Sequence, residues 1–289
     1  MEAEIRPLQK FEYFAPGTLG DVIALLKENA DSTTILAGGT DLLVWMKNMK
    51  VSPGMIVDIN GVPELSFIEM RDDYLHIGAA TPLTVIKESQ QVQQKTPLLA
   101  EAIGFLASYP IRNRATIGGN LCSASPAADT APPLLALDAS AILQGPGGER
   151  TIPLSEFFVG PGQTVKGPDE LLRELKIPCR EGRSAFLKLG RRKGFTLSIA
   201  SAAAFGRLRD GKFDDLKVAV GAVAPIPIRS RKVEDALKDT KATDEEIEKA
   251  ADMIKEEVNP ITDLRASAAY RREMASLLAK RTIKKIAMG

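Results

Sequence analysis

Cysteine and histidine are almost absent: Cys122, Cys179 and His76 are the only such residues in the 289-residue chain. Two thiols far apart in sequence cannot supply the four protein ligands that an iron–sulfur cluster usually takes. With a single histidine besides, the sequence argues against a zinc site. Both thiols read as buried, inert side chains. His76 alternates with Leu75 and Ile77 in an apparent strand and is expected on its solvent face. A charge excess is missing as well, with 38 Lys and Arg against 37 Asp and Glu. No basic surface therefore points to nucleic acid as a partner. No run reaches the roughly 20 apolar residues of a membrane span, and Met1 to Lys10 lacks the apolar core and cleavage site of a leader. A cytoplasmic protein is the expectation.

What is present is apolar material for more than one core, 44% of the chain, arranged by region. Thr18 and Asp21 form a capping-box-like start, and Leu19, Val22, Ile23, Leu25 and Leu26 give one helical face behind it. Thr33 to Leu36 reads as a strand, Asp41 to Met49 as a helix containing Trp45 in its core face, and Met55 to Ile59 as a buried strand. Phe67 to Met70 and Tyr74 to Gly78 suggest a hairpin. Thr81-Pro82 suggests a capped helix start, and Pro97 to Leu106 a helix. Ala115 to Asp129 is rich in Gly, Ser and Ala and reads as a loop. Ala141 to Leu143 and Leu171 to Ile177 read as closing strands.

Beyond Ser184 the pattern changes. Apolar runs at Leu197 to Leu208 and Leu216 to Val223 flank Arg209-Asp210-Gly211-Lys212, a hairpin signature. Helical stretches follow at Lys232 to Leu237, Asp244 to Val258 and Ala266 to Lys280. Strands and helices cluster by region, which predicts an α+β protein. A boundary near Pro178 divides it into residues 1–178, with subdomains of about 1–60 and 61–178, and residues 179–289.

Two glycine pairs stand out, although either one alone reads equally as a tight turn. Ala37-Gly38-Gly39-Thr40-Asp41 lies between a strand and a helix, where glycines permit close backbone approach and positive φ. Successive amides in such a turn make an anion-binding concavity suited to a diphosphate; Asp41 would face a ribose or cap the helix. Thr116-Ile117-Gly118-Gly119-Asn120 opens a run of small polar residues with Ser123, Ser125 and Asp129, suited to a polyhydroxylated ligand. Neither pair matches a dinucleotide-binding fingerprint or a P-loop. Ser125 has no histidine base in its motif, which argues against a nucleophile role. Arg191-Arg192-Lys193 reads as a solvated turn, with an anion site as the second reading, and Asp244-Glu245-Glu246 as a solvated helix face.

Taken together, Ala37–Asp41 with Met46-Lys47, Ala115–Leu121 with Ala124-Ser125-Pro126 and Asp129, and Lys188 with Arg191-Arg192 are similar to the FAD-binding medium subunits of molybdenum hydroxylases. Carbon monoxide dehydrogenase has such a subunit, and xanthine dehydrogenase an equivalent domain; order and spacing agree over essentially the whole chain. The resemblance implies a vanillyl-alcohol-oxidase-like fold of two α/β subdomains clasping FAD, followed by a domain with a small antiparallel sheet and helices. It further implies that Leu36 to Thr40 and Thr116 to Gly119 hold the diphosphate. By the same resemblance, Asn120, Ser123 and Asp129 contact the diphosphate, ribityl and adenosine portions. Asp41 would lie beside the first loop and Lys188 near the flavin ring or the domain junction.

The implied partners are a molybdopterin-containing large subunit and a small subunit with two [2Fe-2S] clusters, with NAD or a quinone as acceptor. The implied activity is oxidoreductase electron relay, with no catalytic acid or base on this chain. Thr196 stands where many members carry an acidic residue, so a contact there is not carried over. No cysteine-rich insertion for a further cluster is present. Rival readings are a self-contained flavin oxidase of the same fold and a scaffold subunit without flavin.

Overall fold

The computed structural model describes residues 8–192 and 194–288. Residues 1–7, within the segment read as leaderless, together with Lys193 and Gly289, lie outside the described residues.

The first region is a small parallel sheet of β1 (Glu12–Phe14), β2 (Thr33–Leu36) and β3 (Met55–Asp58), in the order β1-β3-β2. Helix α1 (Leu19–Asn29) connects β1 to β2. The Thr18 hydroxyl accepts from the Asp21 amide at 3.2 Å and donates to the Asp21 carboxylate at 2.7 Å, so the cap forms with aspartate in the glutamate's place. Leu19, Val22 and Leu26 bury against Met55, Val57 and Ile59. Helix α2 (Leu42–Lys47) follows β2 and is capped by Asn48, after which Met49, with a φ of 54°, takes the chain out of the helical region.

The second region is an antiparallel sheet of β4 (Ile68–Arg71), β5 (Tyr74–Gly78), β6 (Ser140–Gly145), β7 (Gly148–Pro153) and β10 (Leu171–Pro178), in the order β4-β5-β10-β6-β7. A two-stranded ribbon, β8 (Phe158–Gly160) with β9 (Gln163–Thr164), precedes β10. His76 departs from the expected solvent face: it is 7% exposed. It lies on an interior strand, diagonal to Glu174 of β10, and its Nδ1 is 2.9 Å from a Glu174 oxygen. Arg71 also donates to that carboxylate. A satisfied polar cluster lets a face that alternation marks as outward be covered.

Helices α3 (Leu83–Glu88), α4 (Gln90–Lys95), α5 (Pro97–Phe105), α6 (Tyr109–Arg112), α7 (Ile117–Cys122) and α8 (Ala131–Ala136) fill the stretch between β5 and β6. The expected Thr81 cap is shifted. Pro82 holds the cap position, and the Thr81 hydroxyl donates to the Phe67 carbonyl at 3.1 Å. The segment read as a loop contains α7, capped by Thr116, whose hydroxyl accepts from the Gly119 amide at 3.0 Å. Glycine disfavours helix locally, but packing decides here: a Cβ on Gly118 would stand 2.6 Å from Ala79 Cβ.

The third region pairs β11 (Arg183–Leu189), β12 (Ala200–Arg209), β13 (Lys212–Gly221) and β14 (Ile228–Arg229) in one antiparallel sheet. The β12–β13 turn has positive φ at Asp210 and Gly211, as the hairpin signature requires. Both faces of this sheet are buried. Phe186, Ala203, Phe205 and Ala219 enter the core shared with the second region. Their sequence neighbours Ala185, Ala202, Ala204, Val218 and Val220 enter a separate core. That core is closed by α9 (Arg231–Leu237), α10 (Asp244–Asp252), α11 (Ile254–Glu257) and α12 (Ala268–Met288). The expected single helix 244–258 is split at Met253. The last helix runs eight residues past Lys280, because Ile283 and Ile286 extend its buried face.

Candidate cofactor-binding site

Strand β2 delivers the chain to the first glycine pair. Gly39 has a φ of 72°, a conformation L side chains rarely adopt. Gly38 has another role: a Cβ there would lie 2.1 Å from the Arg114 carbonyl oxygen, so the loop rests directly on the backbone entering the second pair. Among the described residues, the amides of Gly38, Gly39, Thr40 and Asp41 meet no acceptor. Four consecutive open donors make this turn an anion cradle.

The second pair is built differently. The amides of Ile117, Gly118 and Gly119 already donate to Thr81 O, Ala79 O and Thr116 Oγ1. What this segment offers is side chains carried by α7. Asn120 Oδ1 accepts from Thr130 at 2.6 Å, which turns its amide nitrogen to other partners. Ser123 Oγ donates to Asp41 Oδ2 at 2.8 Å and ties the two segments together. Asp41 thus sits at the start of α2 without capping it.

Asp129 is 4% exposed and accepts from Lys188 Nζ at 2.6 Å and Ser198 Oγ at 2.5 Å. Burial pushes its carboxyl above the usual range, against the opposing pull of Lys188 and Ser198. Lys188 also donates to the Phe105 carbonyl at 3.1 Å. The pair therefore joins the second region to the third.

These elements enclose a cleft of about 620 Å³, within the range of cofactor pockets. Ala37, Gly38, Gly39, Thr40, Asp41, Thr116, Gly118, Gly119, Asn120, Ser123 and Asp129 line it; Leu36 and Lys188 are not among its lining residues. Leu106, Ala107, Ile111, Leu171 and Leu172 form an apolar wall, and Phe195, Thr196 and Leu197 reach in from the third region. Trp45, expected in a core, is half-buried and lines the cleft instead. Cys122 lines it too, and burial pushes its thiol up to about 11, so it stays protonated. Sequence reasoning also missed Lys166, another lining residue. Among the described residues, no group of three or more His, Cys, Asp or Glu is placed to hold a metal.

Residues 9–180 match the family of the FAD binding domain in molybdopterin dehydrogenase, and residues 185–286 match the CO dehydrogenase flavoprotein C-terminal domain. The chain belongs to this flavoprotein family. It is 32% identical over 279 residues to the glyceraldehyde dehydrogenase medium chain of Sulfolobus acidocaldarius, covering 96% of this chain and 99% of that one. It is 34% identical to the xanthine dehydrogenase FAD-binding subunit of Escherichia coli, over 94% of each. A solved structure of carbon monoxide dehydrogenase from Hydrogenophaga pseudoflava, lacking the Mo-pyranopterin moiety of its cofactor, superposes with a TM-score of 0.95. Identity there is 34%, over 97% of this chain and 98% of that one.

FAD is the cofactor of this family, and the flavoprotein's residues fit it. The open amides of Gly38 to Asp41 suit a diphosphate, Thr116 and Asn120 suit hydroxyl groups, and the apolar wall suits a flat ring. The flavoprotein is an oxidoreductase component distinct from the molybdenum-bearing subunit.

Proposed function

We propose that this flavoprotein relays electrons between the clusters of a small [2Fe-2S] subunit and an external acceptor, NAD or a quinone. Oxidation of the substrate then belongs to a molybdopterin-containing large subunit. The observation that carries this reading is the state of the cleft's polar groups. Asp129 is committed to Lys188 and Ser198, and Asp41, bonded to Ser123, stands on the turn read as the diphosphate cradle, so neither lining carboxylate is assigned to substrate chemistry. A self-contained oxidase would need a base free to face a second substrate.

Bound FAD supplies both one-electron and two-electron chemistry, which is what joins clusters to a two-electron carrier. The chain's own part is to bind and orient. Ala37 to Asp41 hold the diphosphate; Thr116, Asn120 and Ser123 contact the diphosphate and ribityl portions. Asp129 and Lys188 fix the wall where the second and third regions meet. The strand-and-helix arrangement supports the vanillyl-alcohol-oxidase-like fold, with residues 1–178 as the FAD-binding part and 179–289 as the C-terminal part. Free thiols at Cys122 and Cys179 fit a reducing compartment such as the cytoplasm.

The test begins with the purified chain, which should release FAD on denaturation in about equal molar amount, without iron or molybdenum. Flavin reduced anaerobically should then be reoxidised by NAD or a quinone, followed by absorbance. Candidate substrates should reduce it only in the assembled complex. Rapid substrate-dependent reduction in the isolated chain would sink the relay reading.

A further inference from the structure

The charge inside the cleft does not balance for a diphosphate ligand. Asp41 and Asp129 are its acidic lining residues, and Lys166 is the one basic residue among the described lining residues. Lys188 is not among the lining residues and is spent on Asp129. A diphosphate brings further negative charge to a cradle that already contains the Asp41 carboxylate, which accepts from the neutral Ser123 hydroxyl.

Lys166 is placed to offset this. Its Nζ donates to the carbonyls of Gly167 at 2.9 Å and Glu170 at 3.1 Å, which fixes the ammonium and leaves one N–H uncommitted. The nearby Glu170 carboxylate is already taken, by Arg150 through two nitrogens at 2.6 and 2.7 Å and by the Gly167 amide at 2.7 Å. No carboxylate among the described residues lies within ion-pair distance of Lys166, and its charge adds only a minor share to the lowering of the Glu170 carboxyl led by Arg150. The field of the ammonium reaches Cys122 on α7, where it opposes the effect of burial on the thiol. Cys122 is next to Ser123, which is bonded to Asp41 at the end of the anion cradle. The lysine is thus a pre-positioned cation lining the same cleft as the glycine turn, with little ordering left to do on binding.

Resting on the FAD reading, we infer that Lys166 holds the FAD diphosphate together with the amides of Gly38 to Asp41, and so selects the dinucleotide over the uncharged riboflavin. The apoprotein, with flavin removed, is titrated with FAD and separately with riboflavin, following flavin fluorescence. Lys166→Gln removes the charge but can still donate to the two carbonyls; Lys166→Arg keeps the charge. The Gln variant should lose about tenfold to a hundredfold in FAD affinity, the range of one charge-assisted hydrogen bond. Its riboflavin affinity should stay unchanged, and the Arg variant should bind FAD nearly as wild type does. Added salt should weaken FAD binding more in wild type than in the Gln variant.

Unchanged FAD affinity in Lys166→Gln overturns the inference. So does an equal loss for FAD and riboflavin, which would mark a structural role for the turn. A wild-type apoprotein that binds neither flavin overturns the cofactor reading itself, a result distinct from the other two.

Discussion

Gly38→Ala is the sharpest test of how the cleft is assembled. The added methyl would lie 2.1 Å from the Arg114 carbonyl oxygen, 2.7 Å from its carbon and 2.9 Å from Ala115 Cα. Real Cβ contacts essentially never fall below 3.0 Å, so the two segments must part by about 0.9 Å, the difference between 3.0 and 2.1 Å. All three obstacles are backbone, so no side chain can swing away. The cost belongs near the top of the overpacking range, about 3 kcal/mol. At roughly 2–4 °C per kcal/mol for a chain of this size, the apoprotein should melt about 6–12 °C lower.

The same displacement separates the anion cradle from Thr116, so FAD retention should fall as well. Gly119→Ala is the control: its methyl would meet only the Thr116 hydroxyl, at 3.0 Å, within a helix that favours alanine over glycine. The assay is thermal unfolding of both apoproteins by circular dichroism, with flavin content measured on the holoproteins. A Gly38→Ala melting point within about 1 °C of wild type would refute the close packing of the two segments.

Gly119→Asp should leave the apoprotein's melting point nearly unchanged yet abolish FAD retention, because it adds a negative charge beside the diphosphate; Ser125→Ala should retain FAD, as measured by flavin absorbance. Lys188→Met leaves the buried Asp129 with Ser198 alone, and denaturant unfolding should show a loss of about 3–5 kcal/mol. Adding Asp129→Asn should recover part of that loss. Asp263 links the final helix to its lead-in loop. Burial opposes ionisation, but hydrogen bonds from the Arg265 amide, Arg271, the Arg265 side chain and the Ala266 amide outweigh it and hold the carboxyl well below the usual range. Its folded pKa is depressed, so its contribution is present above the unfolded value and lost as pH falls below it. Asp263→Asn should flatten the acid limb of a stability-versus-pH curve. An unchanged limb would refute the assignment.

Local signals were legible in the sequence. The Thr18–Asp21 cap, the hairpin at Asp210-Gly211 and the strand leading to Gly38 depend on neighbours within a few positions, and each appears where those neighbours put it. Eleven of the site residues suggested by glycine spacing and family resemblance line one cleft. The failures share a cause in distance along the chain. Nothing near His76 announces Glu174, and nothing near Asp129 announces Lys188 or Ser198. Helix α7 was hidden because glycine's poor propensity is overruled by contact with Ala79. Lys166 gave no signal at all: one lysine among many acquires meaning only when β10 carries the preceding turn beside α7.

Strand β12 is buried on both faces, between the core it shares with the second region and the core closed by the last helix. No opening of either core alone can bring water to its central amides. Dissolved in deuterated buffer, Ala202 to Phe205 should therefore be among the last positions to take up label, exchanging only when the whole chain unfolds. The short β1–β3–β2 sheet, whose edge strand β1 consists of exposed residues, should label early. Just before β12 stand Leu197, which lines the cleft, and Ser198, which donates to Asp129. One wall of the cleft is thus bolted to the stiffest part of the molecule, and its spacing from a redox partner would hold steady while the opposite wall breathes.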